Sequence, residues 1–352
     1  MPVTIVVGGQ FGSEGKGKVV GLLARSRPVS CVVRCGGPNS GHTTQIGTQE
    51  RVLRQLPSSV GISDSIVAIA AGAVIDVQVL AAEIVQAKVD RDRLIVDPRA
   101  VLVTEDDKRR EASLSTSIAS TGSGNGQALS RRLLREHATL AADSSLIASL
   151  ARVESVAPLI HELVHRQKDI VVEGTQGFGL SLLHGPHFPY VTAKDTTASA
   201  FAMEVGLSPR DIDEIVMVIR TFPIRVGGQS GPLSDEISWH DVQRLSSAPQ
   251  PEPEFTSVTQ RIRRVGKFDL ALVKAATNYN KPTALAVMGL DRLDYRNRSV
   301  TSISSLTSSA VEFIAMLRKE LGVPIDWVGT GFRTFDAIST RKECGLEVVN
   351  AG

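Results

Sequence analysis

Apolar residues recur along this chain in two spacings, one typical of buried strands and the other of amphipathic helices. Short β-branched runs between glycine or polar residues predict strands at 4–7, 30–34, 65–70, 93–96, 169–173, 214–220 and 283–288. Apolar positions three and four residues apart predict helices at 19–25, 75–88, 146–166 and 309–321. Because strands and helices alternate, we expect an α/β fold with a large, mostly parallel central sheet flanked by helices.

The length of 352 residues fits roughly two domains of about 150 residues, or one large α/β domain. The proline-rich stretch 248–254 leads directly into a segment with several arginines. We therefore interpret this stretch as a loop rather than as a linker between domains.

Charge and aromatic content argue against nucleic-acid binding. The 39 Lys and Arg residues nearly balance the 37 Asp and Glu residues, which leaves a formal charge of +2. Aromatic residues make up 4%, too few for a platform on which single-stranded bases stack. We expect neither bulk electrostatic attraction to nucleic acid nor base stacking.

Three cysteines, Cys31, Cys35 and Cys344, are too few and too uneven for a disulfide framework. We favour the interpretation of Cys31 and Cys35 as small apolar residues of a buried strand over the alternative that they form half of a metal site. No apolar run reaches the roughly 18 residues of a membrane span, and the N-terminus has no basic region or cleavage site of a signal peptide. These features predict a cytoplasmic protein with no membrane partner.

The strongest local signal is the glycine loop, GGQFGSEGKGK at 8–18, between a predicted strand and a predicted helix. Backbone amides and a helix N-terminus in this arrangement form a phosphate site. From Gly12 to Lys18 the spacing matches a phosphate loop, but Val19 stands where that motif needs a hydroxyl ligand for Mg²⁺. The loop is therefore not an ordinary Walker A motif, and the magnesium ligand must come from elsewhere.

A second signal is the histidine loop, GGPNSGHTT at 36–44. A lone histidine is more often structural than catalytic. His42, however, follows a strand and lies among glycines, where the carboxyl end of a parallel sheet places ligand-binding residues.

Together these two loops resemble the adenylosuccinate synthetase family, whose hallmarks are a G-x-Q-W-G-D-E-G-K-G-K loop followed by N-A-G-H-T. The similarity continues in the same order to the end of the chain. It includes STGSGNG (120–126), EGTQG (173–177), HGPHFPYVTAKDTT (184–197), IRVGG (224–228), EFTSVTQRIRRVGKFD (254–269), GLDRLD (289–294) and GVPIDWVGTG (322–331). Because it covers essentially the whole chain, the resemblance implies a single domain, 1–352.

The resemblance also implies a reaction, the ligation of L-aspartate to C6 of a purine nucleotide. A nucleoside triphosphate first phosphorylates the purine O6, and the aspartate amine then displaces that phosphate. The chemistry needs a charge clamp on the moving phosphoryl group, Mg²⁺ on the phosphates and a pocket for the aspartate carboxylates. The family forms homodimers in which an arginine of one subunit reaches the nucleotide phosphate of the other.

Site residues follow from the same resemblance, position by position. The catalytic set is Ser13, Lys16, His42 and Gln176. The purine nucleotide set is Asn39, Ser120, Thr121, Gly122, Arg135, Gln176, Thr192, Arg225, Val226 and Gly227. The triphosphate set is Gly12, Ser13, Glu14, Gly15, Lys16, Gly17, Gly41, His42, Thr43, Asp291, Gly329 and Gly331, with Ser13 and Gly41 as metal ligands. The aspartate set is Thr256, Ser257, Val258, Thr259, Arg261 and Arg263.

Two features support parts of this assignment. A guanidinium fork suits a carboxylate better than an ammonium does, which favours Arg261 and Arg263 in a carboxylate pocket. Arg131, Arg132 and Arg135 follow the STGSGNG motif, and their spacing favours Arg135 as the residue that crosses the dimer interface.

One departure from the family bears on the substrate. Ser13 stands where the family has the aspartate that binds magnesium and takes the N1 proton of inosine monophosphate. The chain is then a crippled paralogue, a synthetase with a relocated base, or an enzyme for another purine. A phage branch of the family carries the same serine and uses dGMP, giving 2-amino-deoxyadenylosuccinate for diaminopurine DNA. The otherwise intact site argues against a crippled paralogue, and the resemblance to the phage branch favours the third interpretation.

The triphosphate pocket departs from the family as well. The family recognises guanine with a K-x-D segment, and here the residues are Gly289, Leu290 and Asp291. The lost lysine weakens the case for GTP, and the phage branch uses ATP or dATP. Two alternatives stay open: an ordinary synthetase that uses IMP, aspartate and GTP, and a nucleotide-hydrolysing switch. The arginine-rich segment argues against a switch, which needs no carboxylate pocket.

Overall fold

The computed structural model describes residues 3–46, 49–136, 139–256 and 260–341. Its strands, in chain order, are β1 (Val3–Gly8), β2 (Val29–Arg34), β3 (His42–Ile46), β4 (Gln49–Leu53), β5 (Ile66–Ile69), β6 (Val74–Ile75), β7 (Leu94–Val96), β8 (Val101–Leu102), β9 (Arg152–Val153), β10 (Asp169–Glu173), β11 (Ile212–Arg220), β12 (Ile224–Arg225), β13 (Glu236–Ile237), β14 (Arg264–Gly266), β15 (Ala284–Met288), β16 (Ile325–Gly329) and β17 (Ala337–Ser339).

The α-helices lie between these strands and cover the sheet. They are α1 (Lys16–Ser26), α2 (Val77–Ala87), α3 (Glu105–Glu111), α4 (Leu114–Ser117), α5 (Asn125–Leu133), α6 (Ser145–Leu150), α7 (Val156–His165), α8 (Ala198–Val205), α9 (Trp239–Ser246), α10 (Leu270–Asn280), α11 (Leu290–Leu293) and α12 (Ser308–Leu321). Within the described ranges, no helix combines the length and the apolarity needed to cross a membrane.

A ten-stranded sheet in the order β17-β16-β15-β11-β1-β10-β2-β5-β7-β9 forms the centre of the molecule. Every neighbouring pair in it is parallel except β16 and β17. Strand β1 is buried along its whole length between β10 and β11, because helices cover both faces of the sheet. The predicted fold class, a mostly parallel sheet flanked by helices, is confirmed.

The prediction of one helix at 146–166 is wrong. The chain instead forms α6, then the short strand β9, then α7. Arg152 and Val153 pair in parallel with Ile95 and Val96, which extends the sheet at its edge. Hydrogen bonds to that sheet edge and the β-branched Val153 outweigh the helical spacing of the apolar residues around them.

The interpretation of Cys31 and Cys35 as buried apolar residues is confirmed. Both are fully buried, Cys31 in β2 and Cys35 directly after it. Burial raises the pKa of the Cys31 thiol to about 12, so it stays protonated. Among the described residues, no group of three or more His, Cys, Asp and Glu side chains is placed to hold a metal ion. Cys344 lies outside the described residues.

The carboxyl ends of β1, β2, β10, β11 and β15 meet at one edge of the sheet, as in other open parallel sheets. The glycine loop follows β1, the histidine loop follows β2 and EGTQG begins at the end of β10. Motifs that are far apart in the sequence are therefore brought together at this edge.

Candidate active site

The glycine loop leaves β1 and enters α1 through residues with left-handed backbone angles. Gly12, Ser13 and Gly15 have φ values of 85°, 57° and 108°. Glycine adopts this region without penalty, whereas a serine pays about 1–2 kcal/mol. Ser13 is exposed, and its carbonyl accepts a hydrogen bond from Arg220 Nη1 at 3.1 Å, which helps to hold this conformation.

Lys16 and the amides of the glycine loop converge on a carboxylate of the loop itself. Glu14 Oε1 accepts from the backbone N–H of Gln10 at 3.1 Å and of Gly12 at 2.8 Å. Lys16 Nζ donates to Glu14 Oε2 at 2.7 Å and to the carbonyl of Gln176. The loop thus presents a cation and aligned amides around one anion, which is the donor set that a phosphoryl group requires.

His42 lies in a buried cluster behind this loop. Its Nδ1 contacts Glu173 Oε1 and lies 2.6 Å from Arg34 Nη1. Glu173 also accepts from Arg34 Nη1 at 3.1 Å, and from the backbone N–H and the hydroxyl of Ser58 at 2.7 and 2.6 Å. A carboxylate with this many donors fixes the orientation of the imidazole.

The charges of the cluster set the protonation state of the histidine. Burial and then the charge of Arg34 lower the pKa of His42 to about 3, against the opposing effect of Glu173. Burial raises the pKa of Glu173, but Arg34 and the bond from His42 outweigh it and bring that pKa to about 2. At neutral pH the cluster therefore holds a neutral imidazole beside an ionised glutamate.

A cavity of about 290 Å³ lies beside the two loops. It brings together seven residues of the predicted purine nucleotide set: Asn39, Ser120, Thr121, Gln176, Thr192, Arg225 and Val226. They come from separate segments between Asn39 and Val226, so only the fold places them around one space. Gly122, Gly227 and Arg135 do not line this cavity.

Arg225 forms one wall of the cavity. Its Nη1 donates to the carbonyl of Pro232 at 3.1 Å and its Nη2 to that of Tyr190 at 2.8 Å. Its guanidinium lies 4.4 Å from the ring centroid of Phe11, a cation–π distance. Burial, followed by repulsion from Arg264, lowers the pKa of Arg225 to about 10, so it stays charged at neutral pH. The wall therefore offers a positive charge to an anionic ligand.

The three arginines that follow STGSGNG have different surroundings. Arg131 donates to both carboxylate oxygens of Asp107, at 2.8 and 2.7 Å. Arg132 donates to the carbonyls of Ala71 and Arg99 at 2.7 and 3.0 Å. Arg135 is exposed, and its side chain contacts no partner among the described residues. Of the three, Arg135 is the one that is free to reach another molecule.

A second group of predicted triphosphate residues lies on the other side of the glycine loop. Lys18 Nζ donates to the carbonyl of Gly331 at 3.0 Å and to that of Asp336 at 2.6 Å. Burial lowers the pKa of Lys18 to about 8, although Asp336, Asp291 and Glu50 oppose this shift. Gly329 ends β16 just before this contact, so 329–331 lies next to α1.

Asp291 is buried next to this group and is already paired. Its Oδ2 accepts from Arg298 Nη2 at 3.2 Å. Arg298 is held in turn by Glu252, whose Oε1 accepts from Nη1 at 2.7 Å. Gly289, where the family has its lysine, has a φ of 82°. A side chain there would be strained and would come within 3.0 Å of Thr221 Oγ1.

The arginine segment, residues 254–263, reaches the glycine loop through one partly buried ion pair. Arg220 Nη1 donates to Glu254 Oε2 at 3.0 Å, and Nη2 donates to Oε1. Arg263 is half-buried, with its Nε donating to the carbonyl of Phe255 at 3.1 Å. Arg261 is exposed, and its backbone N–H donates to Thr256 Oγ1 at 2.9 Å. Ser257, Val258 and Thr259 of the predicted aspartate set lie outside the described residues.

Gly41 and Thr43 flank His42 next to α1. A Cβ at Gly17 would come within 2.8 Å of the Thr43 carbonyl, so glycine lets the histidine loop approach the helix. Sequence reasoning missed the partners that hold the site in place. They are Arg34, Ser58 and Glu173, which surround His42; Arg220, which donates to the Ser13 carbonyl, and its partner Glu254; Lys18, which donates to the Gly331 carbonyl; and Phe11, whose ring packs on Arg225. Glu173 stood in a recognised motif, but no sequence signal linked it to His42.

Comparison with known proteins identifies the family. The family model described as adenylosuccinate synthetase matches residues 5–145 and 137–298. The adenylosuccinate synthetase of Methanocaldococcus jannaschii is 38% identical over 347 residues, which cover 97% of each chain. That of Archaeoglobus fulgidus is 36% identical over 349 residues, which cover 97% of this chain and 99% of the relative.

Solved structures give the same fold. Succinoaminodeoxyadenylate synthetase of cyanophage S-2L, bound to dGMP and to dATP as an energy donor, superposes with a TM-score of 0.81 and 26% identity. The match covers 97% of this chain and 96% of that chain. Fully ligated adenylosuccinate synthetase from Plasmodium falciparum has a TM-score of 0.85 and 19% identity, covering 97% and 100%, which shows the fold alone. The chain thus belongs to the adenylosuccinate synthetase family of carbon–nitrogen ligases.

Proposed function

We propose that this enzyme joins L-aspartate to C6 of dGMP, with ATP or dATP as the energy donor, and forms 2-amino-deoxyadenylosuccinate. The product is a precursor for diaminopurine DNA. The observation that carries the proposal is Ser13, a neutral side chain at the position of the family's catalytic aspartate. The other residues that the family resemblance assigns to the site are present in the sequence, which argues against an inactive paralogue. The cyanophage S-2L enzyme, which binds dGMP and dATP, supports the same substrates.

The first step transfers the γ-phosphoryl group to the purine O6, while the nucleoside diphosphate departs and the N1 proton passes to solvent. In the free protein, Lys16 and the amides of the glycine loop donate hydrogen bonds to Glu14. In the reaction they donate to the phosphoryl oxygens. His42, oriented by Glu173, stabilises the negative charge at the phosphoryl oxygens and at O6, with Gln176 at the purine. A nearby phosphoryl anion favours the protonated imidazole, so ligand binding opposes the low pKa of the free site.

The second step forms the C6–N bond and releases phosphate. Arg261 and Arg263 hold the two aspartate carboxylates. The neutral amine attacks C6, the phosphate leaves with the C6–O bond electrons, and the surplus proton on the nitrogen passes to solvent. Mg²⁺, when bound, would neutralise charge on the phosphates. The Gly41 carbonyl and the Ser13 hydroxyl would hold it as neutral oxygen ligands, in keeping with an ion that is commonly bound through phosphates and water.

The paired state of Asp291 supports an adenine nucleotide as the energy donor. Guanine presents two adjacent donors, N1–H and the 2-amino group, which a free carboxylate takes with two oxygens. Here one oxygen is engaged by Arg298, which Glu252 holds in position. Asp291 Oδ1 accepts no hydrogen bond in the described part of the chain and is open to the 6-amino group of adenine.

The alternative is an ordinary adenylosuccinate synthetase that uses IMP and GTP. The relatives at 35–38% identity carry that name, which is the observation in its favour. In this alternative another group binds magnesium and takes the N1 proton in place of the missing aspartate.

An acceptor assay separates the two. dGMP, GMP and IMP are each incubated with aspartate, Mg²⁺ and ATP, dATP or GTP, and product formation is followed by absorbance. Preferential turnover of dGMP supports the proposal. Robust turnover of IMP with none of dGMP refutes it.

Ser13→Asp tests the residue that carries the proposal. A carboxylate at this position restores a base for N1, so we expect the preference to shift towards IMP or the use of dGMP to fall. General-base assistance is worth about 10²- to 10⁴-fold. An unchanged preference would mean that the choice of purine is made elsewhere.

A further inference from the structure

Glu111, the last residue of α3, is a buried carboxylate at the wall of the purine cavity. It is 4% exposed, and among the described residues that line this cavity it is the one acidic side chain. A carboxylate is stable in such a place only where donors converge on it. Neither step of the proposed reaction uses this group.

The two oxygens of Glu111 hold the two ends of the STGSGNG loop, residues 120–126. Oε1 accepts from the Ser120 hydroxyl at 2.7 Å, and Oε2 accepts from the backbone N–H of Gly126 at 2.9 Å. The Ser120 hydroxyl accepts in turn from the backbone N–H of Gly122 at 3.2 Å. One carboxylate therefore fixes the first and the last residue of the loop and reaches its middle through Ser120.

The helix that carries Glu111 is itself fixed against the loop and against α5. Asp107, one turn earlier in α3, accepts from Arg131 Nε and Nη2 at 2.8 and 2.7 Å. A Cβ at Gly124 would lie 2.8 Å from Val103 Cγ1 and 3.0 Å from Asp107 Cβ, so glycine lets the loop lie directly on α3. The carboxylate of Glu111 is thus presented to the loop from a rigid support.

The tip of the loop, residues 121–123, is left open. A Cβ at Gly122 would meet no atom within 4 Å. The hydroxyls of Thr121 and Ser123 lie 3.0 Å apart and bond to each other, and Thr121 lines the cavity. Hydroxyls and backbone amides at the entry to a helix are donors for an oxyanion such as a nucleotide phosphate. Fixed ends and an open tip give a loop that is ordered before its ligand arrives, which lowers the entropic cost of binding.

We propose that Glu111 is a positioning residue for the purine nucleotide, because it sets the conformation of the STGSGNG loop before the nucleotide binds. The inference rests on the proposed function for the identity of that nucleotide, dGMP. The negative charge of Glu111 by itself repels a nucleotide phosphate, so its contribution to binding lies in the two bonds to the loop. Charge and positioning therefore predict opposite effects when the side chain is neutralised.

The test compares the wild-type enzyme with Glu111→Gln, Glu111→Asp and Glu105→Gln by titration calorimetry with dGMP, IMP and ATP in turn. Glutamine keeps the size of the side chain but has one oxygen and one NH₂ group, so it satisfies one end of the loop and opposes the other. Aspartate keeps the charge but is one methylene shorter, so it cannot hold both ends. Glu105 is exposed in the same helix, and its replacement is the matched control.

We expect both substitutions of Glu111 to weaken dGMP binding roughly 10- to 100-fold. ATP binding should stay within about threefold, and Glu105→Gln should change neither affinity. The kcat at saturating dGMP should be almost unchanged, because the bound nucleotide then holds the loop. Hydrogen–deuterium exchange gives a second readout: the amides of 120–126 should exchange faster in free Glu111→Gln, and dGMP should restore their protection.

Two results would overturn the inference. If Glu111→Gln binds dGMP more tightly, or if both variants bind it as the wild type does, the bonds to the loop do not position the nucleotide. Equal losses for dGMP and ATP would show a general structural role. The titrations with IMP separate this inference from the proposed function. If the wild-type enzyme binds IMP and not dGMP, the proposed function fails, whereas weaker binding of IMP by the Glu111 variants still supports the positioning role.

Discussion

Arg220 and Glu254 form a partly buried ion pair in which each guanidinium Nη atom donates to one carboxylate oxygen. The same Arg220 also donates to the carbonyl of Ser13, and its own backbone exchanges two hydrogen bonds with the side chain of Gln10. Although burial opposes ionisation, the charge of Arg220 holds the pKa of Glu254 at about 2. One side chain therefore ties the glycine loop to the arginine segment.

This link predicts that a substitution of Glu254 impairs both phosphoryl transfer to the purine and the reaction with aspartate. Glu254→Gln keeps the size of the side chain but weakens its charge-assisted bonds, which are worth about 1.5–3 kcal/mol. We expect the KM for aspartate to rise and phosphoryl transfer to slow, each roughly tenfold. Positional isotope exchange in the triphosphate measures phosphoryl transfer without aspartate, and steady-state kinetics gives the KM.

Glu236→Gln is the matched control, because Glu236 pairs with Arg264 at the surface. Exposed pairs contribute about 0–1 kcal/mol, so this variant should behave like the wild type. If Glu254→Gln changes only the KM for aspartate and leaves isotope exchange intact, the two loops work independently.

The His42 cluster predicts loss of stability in mild acid. The unfolded imidazole, with a pKa of 6.5, takes a proton as the pH falls, while the folded one, with a pKa of about 3, stays neutral. The unfolded state then binds more protons, so stability falls from about pH 6.5 downwards, by at most about 1.4 kcal/mol per pH unit for this group. The lowered pKa of Glu173 adds its own loss only below about 4.5.

Urea unfolding at pH 7 and pH 5 tests this expectation. His42→Asn removes the titrating group, so its stability should change less between these pH values than that of the wild type. The same variant should lower kcat strongly with smaller effects on KM, because the group acts on charge in the transition state. His161→Asn, at an exposed position, is the control. An unaltered pH dependence in His42→Asn would show that other groups cause the acid loss.

The sequence predicted the features of this enzyme that leave a pattern within a short stretch of residues. The strands β1, β2, β10 and β15 appear as short β-branched runs, and the glycine loop appears as a phosphate motif. Arg152 and Val153 were wrongly assigned to a helix because apolar spacing alone does not reveal that these residues pair with the edge strand β7.

Partners across long sequence separations could not be predicted in the same way. Glu173 and His42 are 131 residues apart, and Arg220 and Ser13 are 207 residues apart. Their contacts exist because parallel strands align their carboxyl ends, and periodicity within either segment does not encode this.

Arg263 is expected to bind an aspartate carboxylate. Losing one charge-assisted partner costs about 1.5–3 kcal/mol, or roughly ten- to a hundredfold in apparent affinity. We therefore expect Arg263→Leu to raise the KM for aspartate by about this factor, with a much smaller change for the purine nucleotide. Initial-rate kinetics with each substrate varied in turn measures both. Equal increases, or an increase only for the triphosphate, would mean that the arginine segment is not the aspartate site.

The last prediction concerns Arg135, the exposed arginine of the three after STGSGNG. If the enzyme is a homodimer and Arg135 reaches the nucleotide phosphate of the partner subunit, each site combines residues of both chains. Arg135→Leu and Lys16→Ala should then each be nearly inactive, because the first removes the contributed arginine and the second the phosphoryl clamp.

Mixing these two inactive variants and allowing their subunits to exchange tests whether Arg135 acts in the site of the partner subunit. Half of the dimers are then mixed, and in each of them one site has both an intact Lys16 and an intact Arg135, which restores about a quarter of the wild-type activity. Arg132→Leu replaces Arg135→Leu in the control, because Arg132 is bound within its own chain and is not expected to be contributed to another site. Without any recovery in the Arg135→Leu mixture, or with full activity of a monomer in sedimentation at the assay concentration, Arg135 acts within its own chain or not at all.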